Sequence, residues 1–236
     1  MTASSDLEAN LRRVRRRIGE CAERSGRPPD SVRLIAVSKT FPAEHIIEAY
    51  ACGQREFGEN RVQEFQQKLP QLRLPEARFH LIGHLQSNKA APAMAFDCIE
   101  TLDSERLARR LHEAASKAGR RLPVLIEVKL GAEQTKSGVP EEELAALAAA
   151  VDALSGLELC GLMTVPPLTA DPEGARPFFR RLRELRDRLQ QEGRYGVREL
   201  SMGMTRDFPI AIAEGATLVR IGTAIFGPRP PAANKG

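Results

Sequence analysis

Short continuous apolar runs alternate with stretches of helical periodicity along almost the whole 236-residue chain, and this alternation leaves few folds open. An apolar run closed by a turn and followed by a helix is the signature of a parallel strand buried on both faces. Parallel neighbours need a crossover, and a helix is its usual form. The first such run, Val32-Arg33-Leu34-Ile35-Ala36-Val37, ends in Ser38-Lys39-Thr40; Pro42 and a helical pattern carrying Ile46, Ile47 and Ala49 follow. Seven further strands are predicted, at 55–58, 78–83, 98–100, 123–128, 157–163, 199–201 and 217–222. Helices are expected over 6–25, 62–69, 104–118, 140–154 and 171–191, with a last one ending at Glu214. Eight strands with helical segments between them predict an α/β fold, a single (β/α)8 TIM barrel with an extra N-terminal helix, and ~250 residues is an ordinary size for it. The expectation is one domain over 1–236, with the barrel at 32–228 and a short disordered tail at 229–236.

A net charge of +4, a pI near 9.0 and the run Arg12, Arg13, Arg15, Arg16, Arg17 raise nucleic acid as a partner. Leu7, Leu11, Val14 and Ile18 recur through that run at helical spacing, so the arginines mark the wet face of an amphipathic helix. With 5% aromatic residues there is little to stack on bases, and no nucleic-acid partner is expected. No apolar stretch approaches the ~20 residues that span a bilayer, and a first segment bearing Asp6 and Glu8 is no signal peptide. Cys21, Cys52, Cys98 and Cys160 form no CxxC pair, which indicates neither a zinc site nor a disulfide scaffold. The expectation is a cytoplasmic monomer without a metal.

Lys39 falls at the carboxyl end of a buried strand, the end where parallel α/β folds bind ligands. An ammonium beside an apolar wall is costly unless it finds a partner or loses its proton. A neutral amine there is a nucleophile toward a carbonyl, which makes Lys39 a candidate for a Schiff base with pyridoxal phosphate. The competing reading is a strand-end lysine that snorkels to solvent.

Two glycine-containing turns follow the last two strands, Ser201-Met202-Gly203-Met204-Thr205 and Gly222-Thr223-Ala224-Ile225-Phe226-Gly227. Each reads either as an ordinary capped helix start, on Ser201 or Thr223, or as half of a phosphate cradle. Barrel closure would set strand eight beside strand one and bring this cradle to Lys39. Arg220 interrupts the apolar run of strand eight and needs an acceptor, either a cofactor's pyridine nitrogen or a barrel carboxylate such as Glu127 or Glu199.

These residues resemble the YggS/PROSC-like pyridoxal phosphate homeostasis proteins. The resemblance rests on Ala36-Val37-Ser38-Lys39-Thr40, Phe57-Gly58-Glu59-Asn60, His80-Leu81-Ile82-Gly83-His84-Leu85-Gln86-Ser87-Asn88-Lys89, Lys136-Ser137-Gly138, Gly161-Leu162-Met163, Leu200-Ser201-Met202-Gly203-Met204 and the turn from Arg220 to Gly227, in colinear order. It implies a barrel like the N-terminal domain of alanine racemase, with pyridoxal 5′-phosphate on Lys39. It further implies a phosphate held around Ser201, Gly222 and Thr223, Arg220 facing the pyridine nitrogen and Asn60 near the ring. His84, Lys136 and Met204 are secondary candidates. Lys136 is either a solvated loop lysine or a transient acceptor of the aldehyde.

An arginine at the pyridine nitrogen keeps it unprotonated and weakens the ring as an electron sink. Racemization needs an acid and a base on opposite faces of the substrate carbon. Tyr50 and Tyr195, the two tyrosines, both fall toward the amino-terminal end of the barrel. The favoured reading is a non-enzymatic carrier and buffer of pyridoxal phosphate in intracellular vitamin B6 homeostasis, with apo-forms of pyridoxal phosphate enzymes as transient partners. The alternatives are a low-activity amino-acid racemase and a barrel that binds another phosphorylated ligand without a Schiff base.

Overall fold

The computed structural model describes residues 6–131 and 137–228. The expectations at Lys136 and over 229–236 lie outside the described residues. Strands β1 (Arg33–Val37), β2 (Glu56–Glu59), β3 (Arg78–Leu81), β4 (Cys98–Leu102) and β5 (Leu122–Lys129) lie side by side in chain order. A two-residue strand, β6 (Val139–Pro140), pairs with β5 outside the ring. β7 (Leu157–Met163), β8 (Glu199–Ser201) and β9 (Leu218–Ile221) complete the circuit. All pairings are parallel, β4 joins β5, and β9 returns to β1 with Ile35 opposite Arg220 and Ala36 opposite Ile221. The eight-stranded barrel is closed, which leaves no strand edge in the ring exposed.

All eight expected strands are present; β7 and β8 keep the expected bounds and the other six have shifted ends. β1 stops at Val37, so Lys39 sits on the turn beyond it, where Thr40 takes a left-handed φ of 69°. The helices are α1 (Asp6–Arg24), α2 (Ala43–Ala51), α3 (Val62–Lys68), α4 (Glu105–Lys117), α5 (Leu144–Asp152), α6 (Arg176–Gln191), α7 (Phe208–Ala213) and α8 (Thr223–Phe226). The helix expected over 171–191 divides into a 3-10 turn, Pro172–Ala175, and α6. Pro177 lies in the first turn of α6, where its missing N–H costs nothing, so the helix restarts there. In α2, Ile46 and Ala49 face the core three residues apart, and Ile47, one step around the helix, is left exposed.

α1 does the work that α8 is too short to do. Its stripe of Leu7, Leu11, Val14 and Ile18 is buried against α7, α8 and α2, and covers the outside of the β9–β1 seam. Each such side chain contributes about 1.5–3 kcal/mol relative to exposure. The six arginines of α1, the run from Arg12 to Arg17 and Arg24, are exposed, as the helical spacing requires.

Two apolar cores result. The larger lies between the strands and the surrounding helices, and the smaller is a layer inside the barrel made by Ile35, Cys98, Leu125, Met163 and Leu218. Burial pushes the Cys98 thiol up and the Cys160 thiol up to about 11, so both serve as neutral packing groups. The barrel interior also holds buried charged groups, Glu100, Glu127 and Arg220 among them. At its amino-terminal end Arg33 bridges Glu56 at 2.9 Å and Glu199 at 2.8 Å.

Candidate ligand-binding site

A cavity of about 590 Å³ opens at the carboxyl ends of the strands, walled by Lys39, Asn60, Glu127, Arg220, Gly222 and Thr223 among others. Its size suits a small-molecule ligand. Pairing of β9 with β1 forms its centre: a Cβ on Gly222 would stand 3.2 Å from the carbonyl oxygen of Val37, two residues before Lys39. Lys39 Nζ reaches Asn60 Oδ1 at 3.5 Å. Asn60 is held by Gly83, where any side chain would meet the Asn60 carbonyl oxygen at 2.3 Å. Glycine is the one residue that permits this approach.

Arg220 forms the floor. It is almost fully buried, and its guanidinium donates to Ser201 Oγ at 2.5 Å and to the Thr164 carbonyl at 2.9 Å, with Glu100 at 3.9 Å. Burial lowers its pKa, and the charges of Glu100, Glu127 and Asp207 oppose that shift. Glu100 in turn accepts from His80 Nδ1 at 2.8 Å and Ser201 Oγ at 2.6 Å. Burial would raise the Glu100 carboxyl, but His80, Arg220 and Ser201 together hold it below the usual carboxylate range. Glu127 differs. Burial pushes it up, Ser137 Oγ donates to one oxygen at 3.2 Å, and the other oxygen has no hydrogen-bond partner among the described residues.

The two glycine turns make the side of the cavity nearest the seam. Gly203 has φ +91°, and a Cβ there would lie 2.5 Å from Ala211 Cβ. Asp207 ties the same turn by accepting the Met204 N–H at 2.6 Å, and Arg220 N–H binds the Gly203 carbonyl at 3.0 Å. α8 starts at Thr223 with Gly222 at its N-cap and no side-chain cap. Ser201 lies within β8 and caps no helix. The first-turn N–H groups of a helix lack intrahelical partners and point toward the space before it.

Lys39, Asn60, His84, Met204, Arg220, Gly222 and Thr223 therefore surround one cavity. Ser201 is apart from them, fully buried beneath Arg220 with its hydroxyl engaged by Glu100 and Arg220. His84 stands on the exposed rim, 3.3 Å from Asp103, whereas His80 is buried on Glu100. The barrel carboxylate beside Arg220 is Glu100, at 3.9 Å, rather than Glu127 or Glu199, while Ser201 Oγ and the Thr164 carbonyl accept its hydrogen bonds; Glu199 is taken by Arg33. Glu100 was legible by the signal that singled out Arg220, a charge inside an apolar strand. Thr164 acts through its backbone and leaves no such signal. Tyr50 donates to the Pro75 carbonyl at 2.5 Å and Tyr195 is 71% exposed; neither lines the cavity. A larger cleft of about 970 Å³ runs between α4 and the 3-10 turn Ser87–Lys89, sharing His84 with the cavity but lying outside the barrel mouth.

Residues 5–230 match the family model described as alanine racemase, N-terminal domain. The pyridoxal phosphate homeostasis protein of Aquifex aeolicus is 46% identical over 220 residues, 93% of this chain and 96% of the relative. That of Pseudomonas aeruginosa is 44% identical over 226 residues, covering 95% of this chain and 96% of the relative. The solved structure of PipY from Synechococcus elongatus with PLP bound superposes with a TM-score of 0.79 at 44% identity, covering 89% of this chain and all of PipY. Alanine racemase of Clostridium difficile shares the fold at 17% identity and a TM-score of 0.72, over 96% of this chain and 60% of that one. The chain belongs to the alanine racemase N-terminal domain family and, within it, to the pyridoxal phosphate homeostasis proteins.

Proposed function

We propose that this protein binds pyridoxal 5′-phosphate through Lys39 and serves as a cytoplasmic carrier and buffer of it, without turnover of amino acids. The observation that carries this reading is the meeting of Lys39 with the Gly222–Thr223 turn across the β1–β9 seam. The cavity's residues fit the cofactor's chemical parts. Lys39 would hold its aldehyde carbon, Gly222, Thr223 and the first turn of α8 its phosphate, and Arg220 its ring nitrogen, with Asn60 beside the ring. The aldehyde supplies an electrophilic carbon: a C=N bond forms with a neutral lysine amine, and the carbonyl oxygen leaves with both amine hydrogens as water.

Arg220 donates hydrogen bonds and accepts none, so a ring nitrogen facing it keeps its lone pair. That arrangement favours holding over carbanion chemistry. Both tyrosines sit away from the cavity, which leaves Lys39 without a second acid or base of that type on the opposite face. Ser201 orients the Arg220 guanidinium from below rather than touching the phosphate. Among the described residues no helix is long and apolar enough to cross a membrane. We further assign to this reading a monomer that passes its cargo to apo-enzymes.

The test is borohydride treatment of protein loaded with pyridoxal phosphate, followed by peptide mapping. The expected result is a yellow band that borohydride abolishes while fixing the label on Lys39. A colourless protein, or a label elsewhere, overturns the reading. Exchange of the α-hydrogen of an L-amino acid for deuterium, at an enzyme-like rate and with growth of the D-isomer, would replace the carrier by a racemase.

A further inference from the structure

The turn that carries Lys39 is fastened from both sides by one buried ion cluster that stands outside the cavity. Lys68, the last residue of α3, is 7% exposed, and its ammonium has three donors. They meet Glu59 Oε1 at 2.8 Å, Glu64 Oε1 at 2.8 Å and the Ser38 carbonyl at 3.2 Å. Glu59 Oε1 also accepts from Ser38 Oγ at 2.7 Å, and Glu64 Oε1 accepts the backbone N–H of Thr40 at 2.7 Å. The cluster thus grips Ser38 by its carbonyl and hydroxyl, and Thr40 by its amide. Lys39 lies between the two grips. Thr40 holds its left-handed φ of 69° at the point where Glu64 takes its N–H, and a non-glycine residue stays in that region when its surroundings over-determine it. Glu59 also immediately precedes Asn60, whose side chain meets Lys39 Nζ, so the ends of β1 and β2 are cross-tied on both sides of the amine.

A solvated surface pair would need none of this. Lys68 and Glu59 are both withdrawn from water, where an ion pair is retained at a desolvation cost and removal of one partner strands the other. No residue of the cluster other than the Ser38–Thr40 turn belongs to the site, and Lys68, Glu59 and Glu64 are absent from the cavity wall. We propose that Lys68 is a positioning residue for Lys39: with Glu59 and Glu64 it locks the Ser38–Thr40 turn so that the Lys39 amine is presented to the aldehyde of the bound ligand. This rests on the reading of Lys39 given above.

The experiment compares two ligands on the full chain. Pyridoxal 5′-phosphate uses Lys39, whereas pyridoxine 5′-phosphate has an alcohol in place of the aldehyde and cannot bond to it. In Lys68→Met, affinity for pyridoxal phosphate is expected to fall at least tenfold and the yellow band to develop correspondingly more slowly, with affinity for pyridoxine phosphate within twofold of the parent. Glu64→Gln keeps the Lys68–Glu59 pair, loosens the Thr40 tether, and is expected to show a smaller loss of the same selective kind. It also carries the test should Lys68→Met fail to fold. Equal losses for both ligands, or unchanged affinity for pyridoxal phosphate, overturn the proposal and make the cluster a structural one. If the parent protein takes no borohydride-stable label on Lys39, both the reading of the site and this proposal fall; if it does and the variants bind like the parent, only this proposal falls.

Discussion

Glu127 is a carboxyl group surrounded by the wall of β5, with one oxygen on Ser137 and the other unsatisfied among the described residues. Burial favours its neutral form in the folded chain, so its folded pKa lies above its unfolded value. Such a group contributes stability that is fully present below the unfolded pKa and is lost as pH rises through the folded one. Glu127→Gln keeps the acceptor for Ser137 and cannot ionise. The variant is expected to match the parent in thermal midpoint near pH 4 and to exceed it at pH 8; a midpoint that falls below the parent at pH 8 would show that the ionised form is the stabilising one. The same residue illustrates how far a sequence can be read. Glu127 is visible as a charge within Val124-Leu125-Ile126-Glu127-Val128, yet nothing in that string says whether Arg220, Ser137 or water will meet it.

Among the elements, α1 has the most to lose from a single truncation, because it covers a seam that the one-turn α8 leaves bare. Leu11 is 1% exposed and Ile47 of α2 is 39% exposed, although both read as core positions. Leu11→Ala is expected to cost about 3 kcal/mol in urea denaturation, and Ile47→Ala less than about 0.5 kcal/mol. Comparable losses at the two sites would mean that α1 is not the cover of the seam. β1 and β5 are legible because strands buried on both faces read as apolar runs. β6 is not, since a two-residue strand exists only through the neighbour it pairs with. The break before α6 was written in Pro177, but its meaning depends on the helix beginning there rather than five residues earlier. Lys68 shows the limit most plainly. At the end of Val62-Gln63-Glu64-Phe65-Gln66-Gln67-Lys68 it resembles any solvated helix terminus, and its burial is decided by Glu59 at the end of β2 and Ser38 on the turn after β1.

The barrel as a whole encloses a column of charge running from Arg33, Glu56 and Glu199 at one end to Glu100, His80, Ser201 and Arg220 near the other. Glu100 is the carboxylate within it that neighbours Arg220, at 3.9 Å. Its folded pKa is depressed, so its contribution is present above the unfolded carboxylate range and is lost as pH falls from that range through the folded value. Glu100→Gln leaves a buried guanidinium without that charge and is expected to cost about 3 kcal/mol at pH 7. Against the parent, this deficit should shrink as acid denaturation is followed below pH ~4; a deficit that stays constant with pH would assign the loss to packing. The closing of the ring also orders events in time. On the proposed site, Lys39 is synthesised well before the Gly222–Thr223 turn, so ligand capture would wait on the docking of β9 against β1. A ligand held across that joint binds the closed chain and not the open one, and by mass action it lengthens the interval between openings. On the proposed function, the stability of the closed fold then rises with the supply of the ligand.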